Sequence, residues 1–221
     1  MKDTTSSPVP VHILTKYAGH TAVHLTHVLP GAIWAGLVPF QLHPTLRQRR
    51  PRLHRIAGYI FVAISLLMAV GVFIILQRNL LFEHYFDVPP NDEKDAFSIL
   101  LQLLPPTQEF LSCLALYHMG TMVAAIGAAR KQRFAQHRQW MIRHVASGIW
   151  VALQRLLLLT VGQAMVLLVP PITPAQQRNT FRLAAYIAII ICIGMGEYVI
   201  YVLGKQQSKS STRYSTPKKK V

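Results

Sequence analysis

The feature that most limits what this chain can become is a set of five apolar runs, each about twenty residues long and bounded by charge, proline or glycine. A hydrocarbon core about 30 Å thick takes roughly 20 helical residues to cross, and within it every backbone N–H and C=O must be bonded inside the segment. The runs lie at about His20–Phe40, Ile56–Leu76, Thr107–Ala129, His144–Val169 and Phe181–Leu203. They predict an all-α fold, a five-helix transmembrane bundle over 20–203, with a short tail over 1–19 and a basic Ser-, Thr- and Lys-rich tail over 204–221 that is expected to be disordered. The residues ahead of the first run lack the apolar stretch of a secretory signal, so that run is expected to stay as a helix. Pro30, inside it, frees a backbone carbonyl and predicts a kink facing the bundle.

Charge assigns the two sides. Lys+Arg 23 against Asp+Glu 8 gives +15, but the basic residues sit in short clusters between apolar runs, so a nucleic-acid partner is excluded and a topology signal takes its place. Arg47, Arg49, Arg50, Arg52 and Arg55, then Arg130 to Arg143, then the tail lysines all fall on one side of a five-span chain. Glu83, Asp87, Asp92, Glu93, Asp95 and Glu109 fall on the other. The expected arrangement is N-terminus out and C-terminus cytosolic, with the inner clusters drawn to anionic lipid head groups. Within the outer loop 77–106, Ala96 to Leu104 is too short to span and reads as an interfacial helix, either a packing element or a lid. Cys113 and Cys192 both lie in apolar runs, which leaves no disulfide framework and no cysteine zinc module.

Ten histidines in so apolar a chain are the chemical signal. His20, His24 and His27 are spaced to share one helical face, a stripe able to hold zinc or copper or simply to sit at the interface. A haem b needs two axial imidazoles from facing helices at similar depth. His27 with His118 on the outer side, and His54 with His137 or His144 on the inner side, are the candidate cofactor-binding pairs, against a reading of the inner residues as lipid-phosphate anchors. Arg155 in the fourth run and Glu197, the one acid more than a few residues inside a run, are the intramembrane polar residues. They read as an ion pair fixing helix contacts or as the floor of a polar path.

The stretch HVLPGAIWAGLVPFQLHPTLRQRRPRLHRIAGY, followed by HRQWMIR, resembles the multi-pass membrane proteins of bacteria and fungi grouped as domain of unknown function 2306. By that resemblance the motif residues are His27, Pro39, Gln41, His54, Arg55, Gly58, His137, Arg138, Trp140, Met141, Arg143, Arg155 and Glu197, over about residues 20 to 200. His118 stands where the family pattern has tryptophan and His144 where it has a small polar residue. The resemblance implies an architecture and no activity.

Serine-hydrolase, phosphate-loop, zinc-protease and paired-acid patterns are absent from the sequence. Lys218 and Lys219, near the C-terminal Val221, resemble the dilysine retrieval signal of eukaryotic endoplasmic-reticulum membrane proteins, or else extend a polybasic tail. Two functional readings remain open: a haem- or metal-binding membrane redox protein, and a non-enzymatic small-molecule carrier or structural membrane protein with a polar intramembrane cavity.

Overall fold

The computed structural model of the chain describes residues 15–85, 99, 101, 103–162, 164 and 173–215, and its regular elements are all helical. Helix α1 is a short α-turn Thr21–Val23, a π-turn His24–Val28 and an α-helix Leu29–Leu42. Then come α2 (Pro44–Arg49), α3 (Pro51–Gln77), α4 (Thr107–Arg130), α5 (Phe134–Leu157, continued by a π-turn Leu158–Gly162) and α6 (Pro174–Ser215). Five of them, α1, α3, α4, α5 and α6, are long and apolar enough to cross a membrane. Of the interfacial helix expected over 96–104, only residues 99, 101, 103 and 104 are described; its remainder, Asp87 to Asp95, and Lys218 and Lys219 lie outside the described residues.

Three of the five spans, α3, α5 and α6, start earlier than hydropathy placed them. Helix α5 begins at Phe134, ten residues before His144, and takes HRQWMIR into the helix. Long basic side chains keep their heads at the membrane boundary while their stems lie along apolar surface, so charge alone does not end a helix. At 1.5 Å per residue the shift moves His144 about 15 Å from the helix start, toward the bundle centre, and carries Arg155 toward the far end. Helix α6 runs past Leu203 to Ser215, so the basic tail begins as a continuation of the last span.

Pro30 has no N–H to give the carbonyl of Thr26, and its ring crowds that carbonyl. The π-turn His24–Val28 widens the helix at that place. The widened backbone meets α3 at Gly71, where an added Cβ would stand 2.6 Å from His27 Cβ and 2.9 Å from His27 N. Only glycine leaves room for that approach, as small residues do between membrane helices. At the other close crossing, a Cβ on Gly196 of α6 would lie 2.9 Å from Ala146 Cβ of α5.

Helix α1 packs chiefly on α3, while α5 packs against both α4 and α6. Apolar clusters tie the two units together at three levels: Val23, Ile75, Leu80 and Leu81, with Leu111 of α4 packed against them; Phe82, Leu158, Phe181 and Ala184; and Trp34, Val38, Phe61 and Val145. The third encloses the polar groups described next.

Candidate functional site

Positions 54, 58, 61 and 65 fall on one face of α3 by helical spacing, and they present His54, Gly58, Phe61 and Ser65 to the bundle. The α4–α5 turn sets the opposing register. Gln132 takes a left-handed conformation (φ 56°), and Arg133 N–H donates to Ala128 O at 2.9 Å, so the chain reverses within Lys131–Arg133. His118, thirteen residues before Lys131, and His144, thirteen after it, therefore come level. Ser65 lies fourteen residues from Pro51, about 20 Å along α3 and near the middle of the bundle.

Seven side chains meet there: Trp34, Phe61, Ser65, His118, Thr121, His144 and Ser147. Trp34 Nε1–H donates to Ser65 Oγ at 3.1 Å, and Ser65 Oγ lies 2.9 Å from Phe61 O and 3.2 Å from His144 Nε2. On the other edge of the ring, His144 Nδ1 is 3.0 Å from His118 O and 3.5 Å from Thr121 Oγ1. A carbonyl only accepts, so Nδ1 carries a proton. Nε2 is then satisfied in either of two states. As a neutral ring it accepts the Ser65 hydroxyl; as an imidazolium it donates to Ser65 Oγ while the hydroxyl turns to Phe61 O. One rotation of one hydroxyl accommodates both.

His118 repeats the device from the facing helix. Its Nδ1 is 2.9 Å from Ser147 Oγ, whose hydroxyl also reaches His144 O at 2.9 Å. The two imidazoles stack with centroids 3.9 Å apart and planes at 28°. Trp34 and Phe61 close the sides, at 6.0 and 5.6 Å from the His144 centroid. A Cβ on Gly148 would come within 2.8 Å of Trp34 Cη2 and 3.0 Å of His118 Cε1, so this glycine gives the two rings their place. His144 and Ser65 are wholly buried and Trp34 is 2% exposed.

The other predicted site residues are distributed differently from the expectation. The His20, His24 and His27 stripe does not form a metal site: the π-turn breaks the helical spacing, His24 Nε2 lies 2.9 Å from Tyr17 O, and no group of three potential ligands occurs among the described residues. Of the outer haem pair, His118 is stacked on His144, while His27 packs its Cβ against Gly71 and has Nδ1 buried without a hydrogen-bond partner. His144 does not fit an axial role either, since both its nitrogens are engaged within the bundle. His54 and His137 do come within electrostatic reach of each other at the end of the bundle that holds α2 and the α4–α5 turn. There His137 Nδ1 donates to Ala125 O at 2.9 Å, and His54 Nδ1 is buried without a hydrogen-bond partner.

Arg155 and Glu197 do not meet. Glu197 takes Arg143 instead in a two-pronged pair, Nε to Oε1 at 2.6 Å and Nη2 to Oε2 at 2.8 Å, and Arg143 also lies 4.8 Å over the Trp140 ring. With α5 starting at Phe134, Arg155 stands twelve residues beyond Arg143, about 18 Å further along the helix. It lies 5.2 Å over the Phe181 ring, with Nη1 buried and without a hydrogen-bond partner, while neighbouring Gln154 donates to Phe181 O at 3.2 Å. Of the remaining motif residues, Met141 packs on the Trp34 cluster, Gly58 faces Gln41 and Arg55 is exposed.

At the end near Arg155, a network that the sequence did not announce joins the 3-10 turn Phe82–Tyr85 that follows α3, the start of α4, and α6. Arg182 donates to Pro105 O at 2.9 Å and pairs with Glu83 at 3.7 Å, Tyr186 donates to Pro105 O at 2.5 Å, and Thr107 donates to Glu83. Two shallow hollows lie on the bundle surface. One of about 370 Å³ is bounded by Phe40, His43 and Leu46; one of about 300 Å³ between α4 and α6 is bounded by Phe110, Tyr117 and Ile193. Compared with family models, with curated proteins and with solved structures, the chain matches none of them.

Proposed function

We propose that this integral multi-pass membrane protein is a proton-linked small-molecule carrier, with His144 as the proton-accepting group and His118 as its stacked partner. The observation that carries the reading is the Ser65 hydroxyl, placed within hydrogen-bonding distance of both His144 Nε2 and Phe61 O, so that the buried ring is satisfied with or without its second proton. An ionisable group deep in a membrane bundle is costly unless it is used, and proton relays are the common use. The position of His144 supports coupling: Trp34 and Ser65 belong to the α1–α3 unit, His118 and His144 to the α4–α6 unit, and the proton sits on the bond between the units. A charge gained there changes the fit of one unit on the other, which is what alternate opening of a carrier requires. A haem-binding redox protein is supported less well, because His144 has both ring nitrogens engaged, His118 is stacked on it, and His137 Nδ1 already donates to Ala125 O.

Proteoliposomes loaded with a pH-sensitive dye test the reading. An imposed proton gradient should move the dye signal faster than in empty vesicles, and His144→Gln should return it to the empty-vesicle rate. Equal rates for the wild type and His144→Gln would refute the proposal. The charge asymmetry supports an outward N-terminus and a cytosolic C-terminus, and a glycosylation acceptor near Asp92 that stays unmodified would reverse that orientation. Kinship with the domain of unknown function 2306 proteins rests on the HRQWMIR stretch and its arginine-rich companion loop. Endoplasmic-reticulum retrieval rests on Lys218 and Lys219, and unchanged localisation of a Lys218→Ser, Lys219→Ser variant would remove it.

A further inference from the structure

At the end of the bundle that holds α2 and the α4–α5 turn, three buried polar atoms lack any hydrogen-bond partner: Gln41 Nε2, His54 Nδ1 and Arg138 Nε. They belong to one neighbourhood. The Gln41 amide lies against Gly58, 3.7 Å from the place of its missing Cβ, and Gly58 is one turn along α3 from His54. His54 is within electrostatic reach of His137 and Arg47, and Arg138 shares the face of α5 that carries Met141 and Val145 onto the Trp34–Phe61 cluster. His54 and His137 both sit in the first turns of their helices, where their N–H groups close the bonds to Arg50 O and Arg133 O, so two positive helix-dipole ends add to the same field.

Buried polar atoms without hydrogen-bond partners are rare in folded proteins, and each one calls for a partner. The sign of the surroundings decides which. Arg47, Arg138 and two helix N-termini repel a bare metal cation, and the one acid of the five spans near this end, Glu197, is already held by both prongs of Arg143. We infer that Gln41, His54, His137 and Arg138 form a binding site for a phosphate oxyanion, supplied by a lipid headgroup or by soluble phosphate. Guanidinium and amide N–H groups donate to such an oxyanion, and an imidazole whose Nδ1 already donates to a carbonyl joins them as imidazolium. The inference stands apart from the proton reading and shares no residue with it.

The test is thermal unfolding of the purified full chain in uncharged detergent, with three probes: inorganic phosphate, micelles of a short-chain phosphatidic acid, and micelles of the matching phosphatidylcholine. A midpoint raised by several degrees with phosphatidic acid alone assigns the headgroup as the source; a rise with inorganic phosphate as well assigns the free anion. Arg138→Gln should remove most of the rise. Gln41→Glu keeps the side-chain shape and places a carboxylate among the orphaned donors, so it should raise the midpoint without ligand and abolish the response to phosphate. No response of the wild type to any probe, or a Gln41→Glu protein that is less stable and still responds, overturns the site. A Soret band in the purified protein that disappears in His54→Ala also overturns it, in favour of haem at the same residues.

Discussion

Ser65→Ala removes one oxygen from the point where α1, α3 and α5 meet. Trp34 Nε1 and His144 Nε2 then lose their shared partner, and both are buried, Trp34 at 2% exposure and His144 at 0%. In water-soluble cores each stranded polar group costs about 1–3 kcal/mol. In a bilayer the separated helices stay in lipid and find other partners, and interhelical hydrogen bonds measure about 0.6 kcal/mol on average and about 1.7 at most. The second scale applies to this bundle, and two bonds give a loss of about 1–3 kcal/mol. The cavity left by one hydroxyl adds little to that. The assay is denaturant unfolding in micelles, followed by the fluorescence of Trp34 in a background where Trp140 and Trp150 are phenylalanine. On a His144→Leu background, where one of the two stranded groups is already gone, the cost of Ser65→Ala should fall to about half. A Ser65→Ala protein within about 0.3 kcal/mol of its parent, or an equal cost on both backgrounds, would refute the assigned network.

Three further outcomes follow from geometry and charge. Gly71→Ala drives a methyl group against the backbone of the π-turn and should cost about 1–3 kcal/mol in the same unfolding assay. Gly36→Ala, with no atom within 4 Å of its Cβ, should not destabilise, and equal effects at the two sites would contradict the close approach of α1 to α3. In double-mutant cycles Glu197→Gln should couple to Arg143→Gln by about 1 kcal/mol or less, as befits a partly exposed pair, and should be additive with Arg155→Leu; coupling to Arg155 would contradict the pairing. Burial, with the nearby Arg155 charge, pushes the Lys16 ammonium down to about 8 from its ordinary 10.5. Between those values the unfolded chain holds more protons than the folded one, so Lys16 makes stability rise with pH from about 8 to about 10.5 and leaves it flat below. Stability curves measured across that window should lose this slope in Lys16→Met, and an unchanged slope would contradict the burial of the ammonium.

The spans were legible because twenty apolar residues in sequence have few other fates, and Cys113 and Cys192 excluded the competing modules. Depth was not legible. Reading HRQWMIR as a loop placed His144 at a helix start and Arg155 at mid-membrane, and from those depths Arg155 with Glu197 looked like a pair. The missing information was the position of one turn. Once Lys131–Arg133 is known to reverse the chain, counting outward from Lys131 brings His118 level with His144 and Ala125 level with His137, and the stacked pair follows from arithmetic. Ser65 and Trp34 carried no signal of their own, since a serine and a tryptophan in apolar runs are ordinary; only packing shows that they share a hydrogen bond. Pro30 did announce an irregularity, but the π-turn that resolves it moved the histidine stripe off its shared face.

The most direct test of a proton-accepting centre is to watch that proton from the neighbouring indole. Trp34 lies 6.0 Å from the His144 centroid and is tied to it through Ser65, so an imidazolium at that place should quench the indole and a neutral ring should not. In lipid nanodiscs, with Trp34 as the only tryptophan, fluorescence should fall in a single reversible step as pH is lowered, and the step should vanish in His144→Gln with the bundle still folded. A fluorescence signal that is flat across the pH range, or a step that survives His144→Gln unchanged, would contradict the assignment of His144 as the group that takes the proton.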